Sequence, residues 1–425
     1  MFLPRPGPAL APPCLLPLFS PMARFSALLA LYAAVATVSA SPIVVRDSPV
    51  SLPFTRRVKF SGTSTIIEQD RARAEVLKNV AHANGAGLKR ADVFATNAKT
   101  HYTVDVGVGS PPTTYTLLID TGSSNTFVGA DKAYVPTETS QDTGNTVSVS
   151  YGSGQWSGEE WNDAVTLSPD LVIVNQGIGV ANSSTGFSGV DGILGIGPTD
   201  LTAGTVSDGQ LVPTVLDNAY AQGLIEQDII GISFAPASAT HPDGLLTFGG
   251  VDESRFVGPV HYVPITSTSP ASQYVGIDQS ITYGDRTILS STAGITDTGS
   301  TLVLLATDAF NAYKDATGAV ADETTGLLKI TRDQYENLQS LLFHIGGETY
   351  DFIPNAQIWP RSLNSEIGGD ADSIYLIVAD LGSPSGQGLD FINGYSWLER
   401  FYNVYDVANQ AVCFAITEHT FSLVN

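Results

Sequence analysis

Leu117-Leu118-Ile119-Asp120-Thr121-Gly122-Ser123-Ser124 returns 177 positions later as Gly294-Ile295-Thr296-Asp297-Thr298-Gly299-Ser300-Thr301. A single Asp-Thr-Gly-Ser is ordinary turn chemistry, because Asp and Gly suit turns and strand ends. Two copies in one register, each after an apolar run, describe a duplicated structural unit. A strand-like segment precedes each copy, Tyr102 to Gly109 in the first and Tyr274 to Tyr283 in the second. Halves of roughly 170 residues are a comfortable domain size. Duplication also sets equivalent residues face to face across a pseudo-two-fold axis.

Around these copies the pattern from Tyr102 onward is short alternating or β-branched runs, such as Leu171-Val172-Ile173-Val174, broken by Gly, Pro, Asn and Ser. This is an all-β signature. Helical stretches are predicted only over Val212–Gln222, Ala306–Thr317 and Arg332–Leu342, the last capped by Thr331. The fold class is therefore all-β and bilobal: two pseudo-symmetric β-rich lobes, a few short helices and a central cleft. The N-terminal lobe is assigned to residues 91–273 and the C-terminal lobe to 274–425.

The residues before 91 read differently. Met22 and Arg24 open an apolar run from Phe25 to Val38 that ends at Val38-Ser39-Ala40, the layout of a secretory signal. Residues 1–40 are assigned to this signal, the Pro-rich 1–21 being a possible upstream extension, and the product is expected to be secreted, without a membrane anchor. Lys89-Arg90 is a dibasic pair after the loop-like Asn84-Gly85-Ala86-Gly87, which makes 41–90 a propeptide and Ala91 the approximate start of the mature chain.

Charge sharpens that division. Residues 41–90 hold nine Lys/Arg against four Asp/Glu, a net of +5, whereas residues 91–425 hold nine against 38, a net of −29. So acidic a body argues against nucleic acid or an anionic membrane as partner and suggests an acidic working medium. It makes the basic segment a natural partner of its own body: Arg56-Arg57, Arg71, Arg73 and Lys78 are expected to pair with carboxylates along the cleft.

Only Cys14 and Cys413 are present, so the mature chain has no intramolecular disulfide, and Cys413, in the apolar run Ala411–Ile416, reads as a buried inert thiol. The six histidines, at 82, 101, 241, 261, 344 and 419, show no metal-ligand spacing. No metal or other cofactor is expected. Asn182-Ser183-Ser184 is the one glycosylation sequon in the mature chain, in Gly/Ser-rich surroundings that suggest an exposed loop.

The chemistry sits in the paired aspartates. Each follows a buried-looking strand, each is followed by a glycine that lets backbone N–H groups approach, and Ser123 and Ser300 stand ready to fix the carboxylate planes. Two carboxylates within hydrogen-bonding distance cannot both ionise readily, so the pair holds one proton over a wide acidic range. One member then acts as base toward a water while the other protonates or orients a carbonyl. This suits hydrolysis of a neutral amide without metal or covalent intermediate.

From about Tyr102 to its end the chain resembles the pepsin family, in particular its basidiomycete acid proteinases. The likeness is carried by Leu118–Asn125, Gly189–Gly195, Pro264–Ala271, Ala356–Arg361 and Leu389–Gly394. The resemblance implies an aspartic endopeptidase with Asp120 and Asp297 as the catalytic pair. Tyr151-Gly152-Ser153-Gly154 becomes the tip of a hairpin flap that closes over substrate. Leu118, Tyr151 and Ile193 are expected to line an apolar pocket favouring hydrophobic residues, with Gly122, Gly299, Ser300, Gly152 and Ser153 also touching substrate. Ser123, Thr121 and Thr298 stand behind the aspartates. Polypeptides are the expected substrates, pepstatin-type molecules the expected inhibitors, and the enzyme a monomer. One basic residue of the propeptide, Lys78 or Lys89, is expected to reach the aspartates, and acid to open the precursor.

Three departures from the usual pattern stand out. Phe127 replaces the usual Trp, leaving Tyr151 to another partner or to packing alone. Tyr395 follows Gly394 where many relatives carry an Asp, and the relatives' disulfides are absent. The alternative reading is a pepsin-like fold that binds proteins or glycans without cleaving; both intact Asp-Thr-Gly motifs and the flap tyrosine argue against it. A membrane-tethered protease would need an apolar tail, which Thr417–Asn425 is not.

Overall fold

A computed structural model describes residues 48–58, 64–83, 100–152, 154–236 and 243–425. The signal-like segment, Lys89-Arg90 and Ser153 lie outside the described residues. Among those described, no helix is long and apolar enough to cross a membrane.

The first Asp-Thr-Gly follows strand β3 (Thr113–Asp120), which pairs with β2 (Thr100–Val108). Alternation buries Tyr115, Leu117 and Ile119, which fixes the register because a slip of one residue would turn these side chains to solvent. Further along come β4 (Phe127–Val128), β5 (Gln141–Tyr151), β6 (Gly154–Ser168), β7 (Leu171–Thr185) and β8 (Gly192–Gly195). β3 runs parallel to β8 with Asp120 opposite Gly195, and β8 runs antiparallel to β4. The second half repeats this. Arg286–Asp297 runs parallel to Phe391–Gly394 with Asp297 opposite Gly394, and Phe391–Gly394 is antiparallel to Val303–Leu305. Both partner glycines are needed for close approach: a Cβ at Gly195 would lie 2.8 Å from Asn125 N, and one at Gly394 2.6 Å from Ser300 O.

The two motifs belong to different sheets of 13 and seven strands, but the chain after residue 274 contributes to both, because Phe401–Asp406 and Ala411–Ile416 join the larger one. Cys413 is buried there without a disulfide, and burial, then Asp406, pushes its thiol up to about 12.

Strand β1 (Val50–Val58) is an interior member of the larger sheet, hydrogen-bonded to Asp243–Phe248 on one side and β2 on the other. Val50, Leu52 and Phe54 are buried, each contributing about 1.5–3 kcal/mol. At its end Arg56 meets Glu399 at 2.9 Å, both side chains nearly inaccessible, and Tyr102 Oη donates to the same carboxylate at 2.7 Å. The guanidinium also lies 5.3 Å from the Tyr395 ring centroid, so the residue that departs from the usual pattern is a wall of this ion-pair site.

Helix α1 (Ile66–Ala83) was not anticipated from the sequence. Its signals are a reciprocal cap, in which Thr65 N donates to Glu68 Oε2 and Glu68 N to Thr65 Oγ1, and buried positions Ile66, Ile67, Asp70, Arg73, Ala74 and Leu77 recurring at three to four residues. The three predicted helices are present but shorter, at Val215–Ala221, Thr307–Thr317 and Arg332–Glu336. The first and last carry full capping boxes from Thr214 and Thr331. The last stops because Leu341–Ile345 is drawn into the seven-stranded sheet.

Candidate active site

Asp120 and Asp297 end equivalent strands and face one another at the bottom of a cleft. Each carboxylate is held by its own loop: Gly122 N donates to Asp120 Oδ1 at 2.9 Å and Gly299 N to Asp297 Oδ1 at 3.0 Å. Ser123 Oγ donates to Asp120 Oδ2 at 2.5 Å, and Ser300 Oγ to Asp297 Oδ2 at 2.6 Å. The glycines are required by proximity. A Cβ on Gly122 would lie 2.8 Å from Asp297 Oδ1, and one on Gly299 2.7 Å from Asp120 Oδ1. Beneath them Thr121 and Thr298 interlock across the pseudo-two-fold, so every residue expected behind the pair is in contact with it or with its loop.

Between the two carboxylates lies a guanidinium. Arg73 Nη2 donates to Asp120 Oδ1 at 2.5 Å and to Asp297 Oδ1 at 2.9 Å, while its Nε donates to Asp297 Oδ2 at 2.6 Å. The expectation that Lys78 or Lys89 reaches the aspartates is thus corrected. Lys89 is outside the described residues, and Lys78, five residues beyond Arg73 and rotated away around α1, contacts the Ser383 hydroxyl. The planar fork of arginine also fits two carboxylates where an ammonium offers only a point charge. Of the other basic residues expected to pair, Arg71 meets Asp380 at 2.8 Å and Arg56 meets Glu399, beneath the cleft; the Arg57 side chain is outside the described set.

The pair is electrostatically split. Burial raises Asp120 above the usual carboxylate range, with Arg73 opposing and Asp297 adding to the rise. Burial acts likewise on Asp297, but the charge and hydrogen bonds of Arg73, then Ser300 and Gly299, outweigh it and hold the group below its usual value. Asp70, one turn before Arg73, accepts from Thr301 N at 3.1 Å and Leu302 N at 2.8 Å. Burial, only partly offset by these N–H groups, pushes it up to about 7. Sequence reasoning missed Asp70, whose signal was its place on the buried face of a helix that had not been recognised.

The segment expected to form the flap is the β5–β6 hairpin, with Tyr151 opposite Gly154. Gly152 presses on α1: a Cβ there would fall onto the Ala72 backbone. A cavity of about 50 Å³ remains between flap and helix, lined by Arg73, Leu77, Ser123, Tyr151 and Tyr274 among others. Tyr151, Ile193 and Leu118 share one apolar cluster with Phe127, Trp156 and Phe187. The departure at Phe127 is therefore met by Trp156, stacked on it at 4.4 Å and 14°. Asn182 is exposed, but on β7 paired with β6 rather than on a loop. Among the described residues no group of three or more His, Cys, Asp or Glu is placed to hold a metal.

The family described as Eukaryotic aspartyl protease matches residues 101–417. The chain is 59% identical over 337 residues to polyporopepsin of Irpex lacteus, covering 78% of this chain and 99% of that protein. It is 28% identical to vacuolar protease A of Aspergillus fumigatus, covering 76% and 83%. A crystal structure of the aspartic proteinase from Irpex lacteus superposes with a TM-score of 0.74, at 59% identity, over 76% of this chain and 96% of that one.

Proposed function

This chain belongs to the pepsin family of eukaryotic aspartyl proteases and is an aspartic endopeptidase acting on polypeptides; from that premise we propose that Asp120 and Asp297 are its catalytic pair, working in acid, and that residues up to 90 are removed from a secreted precursor. The observation that carries the assignment is that one guanidinium bonds both carboxylates at 2.5 to 2.9 Å, so the two lie close enough for one water to bridge them.

With Arg73 gone, the pair faces the cleft alone. Two buried carboxylates at this spacing retain one proton, the ionised member takes a proton from water, and the protonated member donates to the scissile carbonyl. Substrate occupies the path now taken by α1. Tyr274 Oη, which donates to Leu77 O at 2.7 Å, and the N–H groups of Thr301 and Leu302 then become anchors for an extended peptide. Tyr151, Leu118 and Ile193 offer an apolar wall, which favours Phe, Leu or Met beside the scissile bond. The acidic body and the signal-like residues 22–40 support secretion into an acidic medium.

Asp120→Asn and Asp297→Asn, each purified folded, are tested on denatured haemoglobin and a peptide library from pH 3 to 7. Each loses nearly all turnover, wild type cleaves next to large apolar residues and is blocked by pepstatin, and chelators have no effect. A tenth of the activity surviving in either variant overturns the assignment.

A further inference from the structure

Tyr151 is 7% exposed and Trp156 2% exposed, yet the tyrosine hydroxyl and the indole N–H both lack a hydrogen-bond partner. Each such buried orphan is a standing cost to stability. The two are neighbours: Trp156 and Ser123 both lie close enough to Tyr151 Oη to ease its ionisation against the dominant effect of burial. Along the hairpin Val149 stands opposite Trp156 and Tyr151 opposite Gly154, which places Tyr151 and Trp156 on one face.

The surroundings leave the indole little choice of place. Phe127 stacks on one side, and Phe187 stands edge-on to both Phe127, at 5.1 Å, and Tyr151, at 5.9 Å. On β7, a Cβ at Gly179 would lie 2.7 Å from Trp156 Cζ3, so only glycine leaves room for the six-membered ring. In this closed state the flap tip is propped on the backbone of α1. An extended peptide is thinner than a helix and leaves the flap tip room to settle.

We propose that Trp156 is the positioning residue of the flap: its indole N–H donates to Tyr151 Oη when substrate replaces α1, fixing the tyrosine ring over the catalytic pair. This rests on Asp120 and Asp297 being that pair. Trp156 acts through Tyr151 and touches no reacting atom.

The test uses the activated enzyme and a chromogenic peptide, with Asp297→Asn as control; turnover by that control would defeat the catalytic assignment itself, whatever Trp156 does. Trp156→Phe is expected to lower kcat/KM about tenfold. Replacing Trp156 by benzothienylalanine, which removes the N–H and keeps the shape, gives a similar loss with an unchanged melting temperature. Because Phe127 is stacked on Trp156, an indole there reaches the same neighbourhood, and Phe127→Trp added to Trp156→Phe restores kcat/KM to within about threefold. In a Tyr151→Phe background, removal of the N–H costs nothing further. Wild-type turnover in the benzothienylalanine protein, or an undiminished loss in the Tyr151→Phe background, overturns the proposal.

Discussion

Thr121 and Thr298 hold each other across the pseudo-two-fold: Thr121 N donates to Thr298 Oγ1 at 2.9 Å, and Thr298 N donates to Thr121 Oγ1 at 3.0 Å. The symmetry is incomplete. Thr298 Oγ1 goes on to donate to Ile119 O at 3.0 Å, whereas Thr121 Oγ1 reaches Thr296 O only at 3.5 Å.

Valine at either position keeps the shape and strands the opposite N–H in a buried site, at a cost of about 1–3 kcal/mol. Thr298→Val is expected to cost more than Thr121→Val, because it also releases the carbonyl of Ile119. Urea unfolding of the two variants checks the order, and equal midpoints would show that the longer bond is worth as much as the shorter.

Arg73 keeps the aspartates occupied by three hydrogen bonds from inside the chain. Arg73→Ala removes the counter-charge, though the aspartates recover part of the loss by sharing a proton, so the expected cost to closure lies at or below the roughly 3–5 kcal/mol typical of a broken buried pair. The precursor should then cleave an added peptide at pH 5 without first being processed. Arg73→Lys should fall between, having charge without the fork. Full latency in the alanine variant would show that β1 and helix packing alone keep the cleft shut.

Asp70 opposes the simple expectation that acid opens the precursor. Its docked value is raised to about 7, so its contribution to docking is fully present below the ordinary carboxylate value and is lost as pH rises through about 7. Asp297 has the opposite sign: its depressed value gives stabilisation present above the ordinary carboxylate range and lost as pH falls through the depressed one. Inhibition of the activated enzyme by a peptide of residues 64–83 separates them. Relative to an Asp70→Asn peptide, the parent peptide should gain up to about tenfold in affinity per pH unit from pH 7 toward pH 4. A flat ratio would mean that Asp70 stays ionised against Thr301 and Leu302.

Much of this site could be read from residue order alone. The twin Asp-Thr-Gly motifs, the hairpin at Tyr151 and the threonines behind the aspartates are local patterns, and the structure brings them together. What escaped depends on distant partners. Leu341 and Leu342 look like the tail of a helix until Gly276–Tyr283 claims Leu341–Ile345 as a strand. That Arg73 and not Lys78 enters the cleft depends on the phase of a helix whose start, Thr65-Ile66-Ile67-Glu68, is a short signal in a segment read for charge. Trp156 was invisible as a neighbour of Tyr151 because its position follows from the absence of a side chain at Gly179.

The seat of β1 has a consequence for time rather than for binding. A strand bonded along both edges cannot be peeled off like a cap, since its departure parts Asp243–Phe248 from β2, leaves two raw edges and takes Arg56 away from the buried Glu399, which keeps only the Tyr102 hydroxyl and the charge of Arg400. If residues up to 90 are removed as proposed, a free helix peptide can still compete for the cleft, but the original closure returns only if β1 re-enters between two strands, so the covalent lock, unlike the cleft's affinity for the helix, is expected to be spent in a single use.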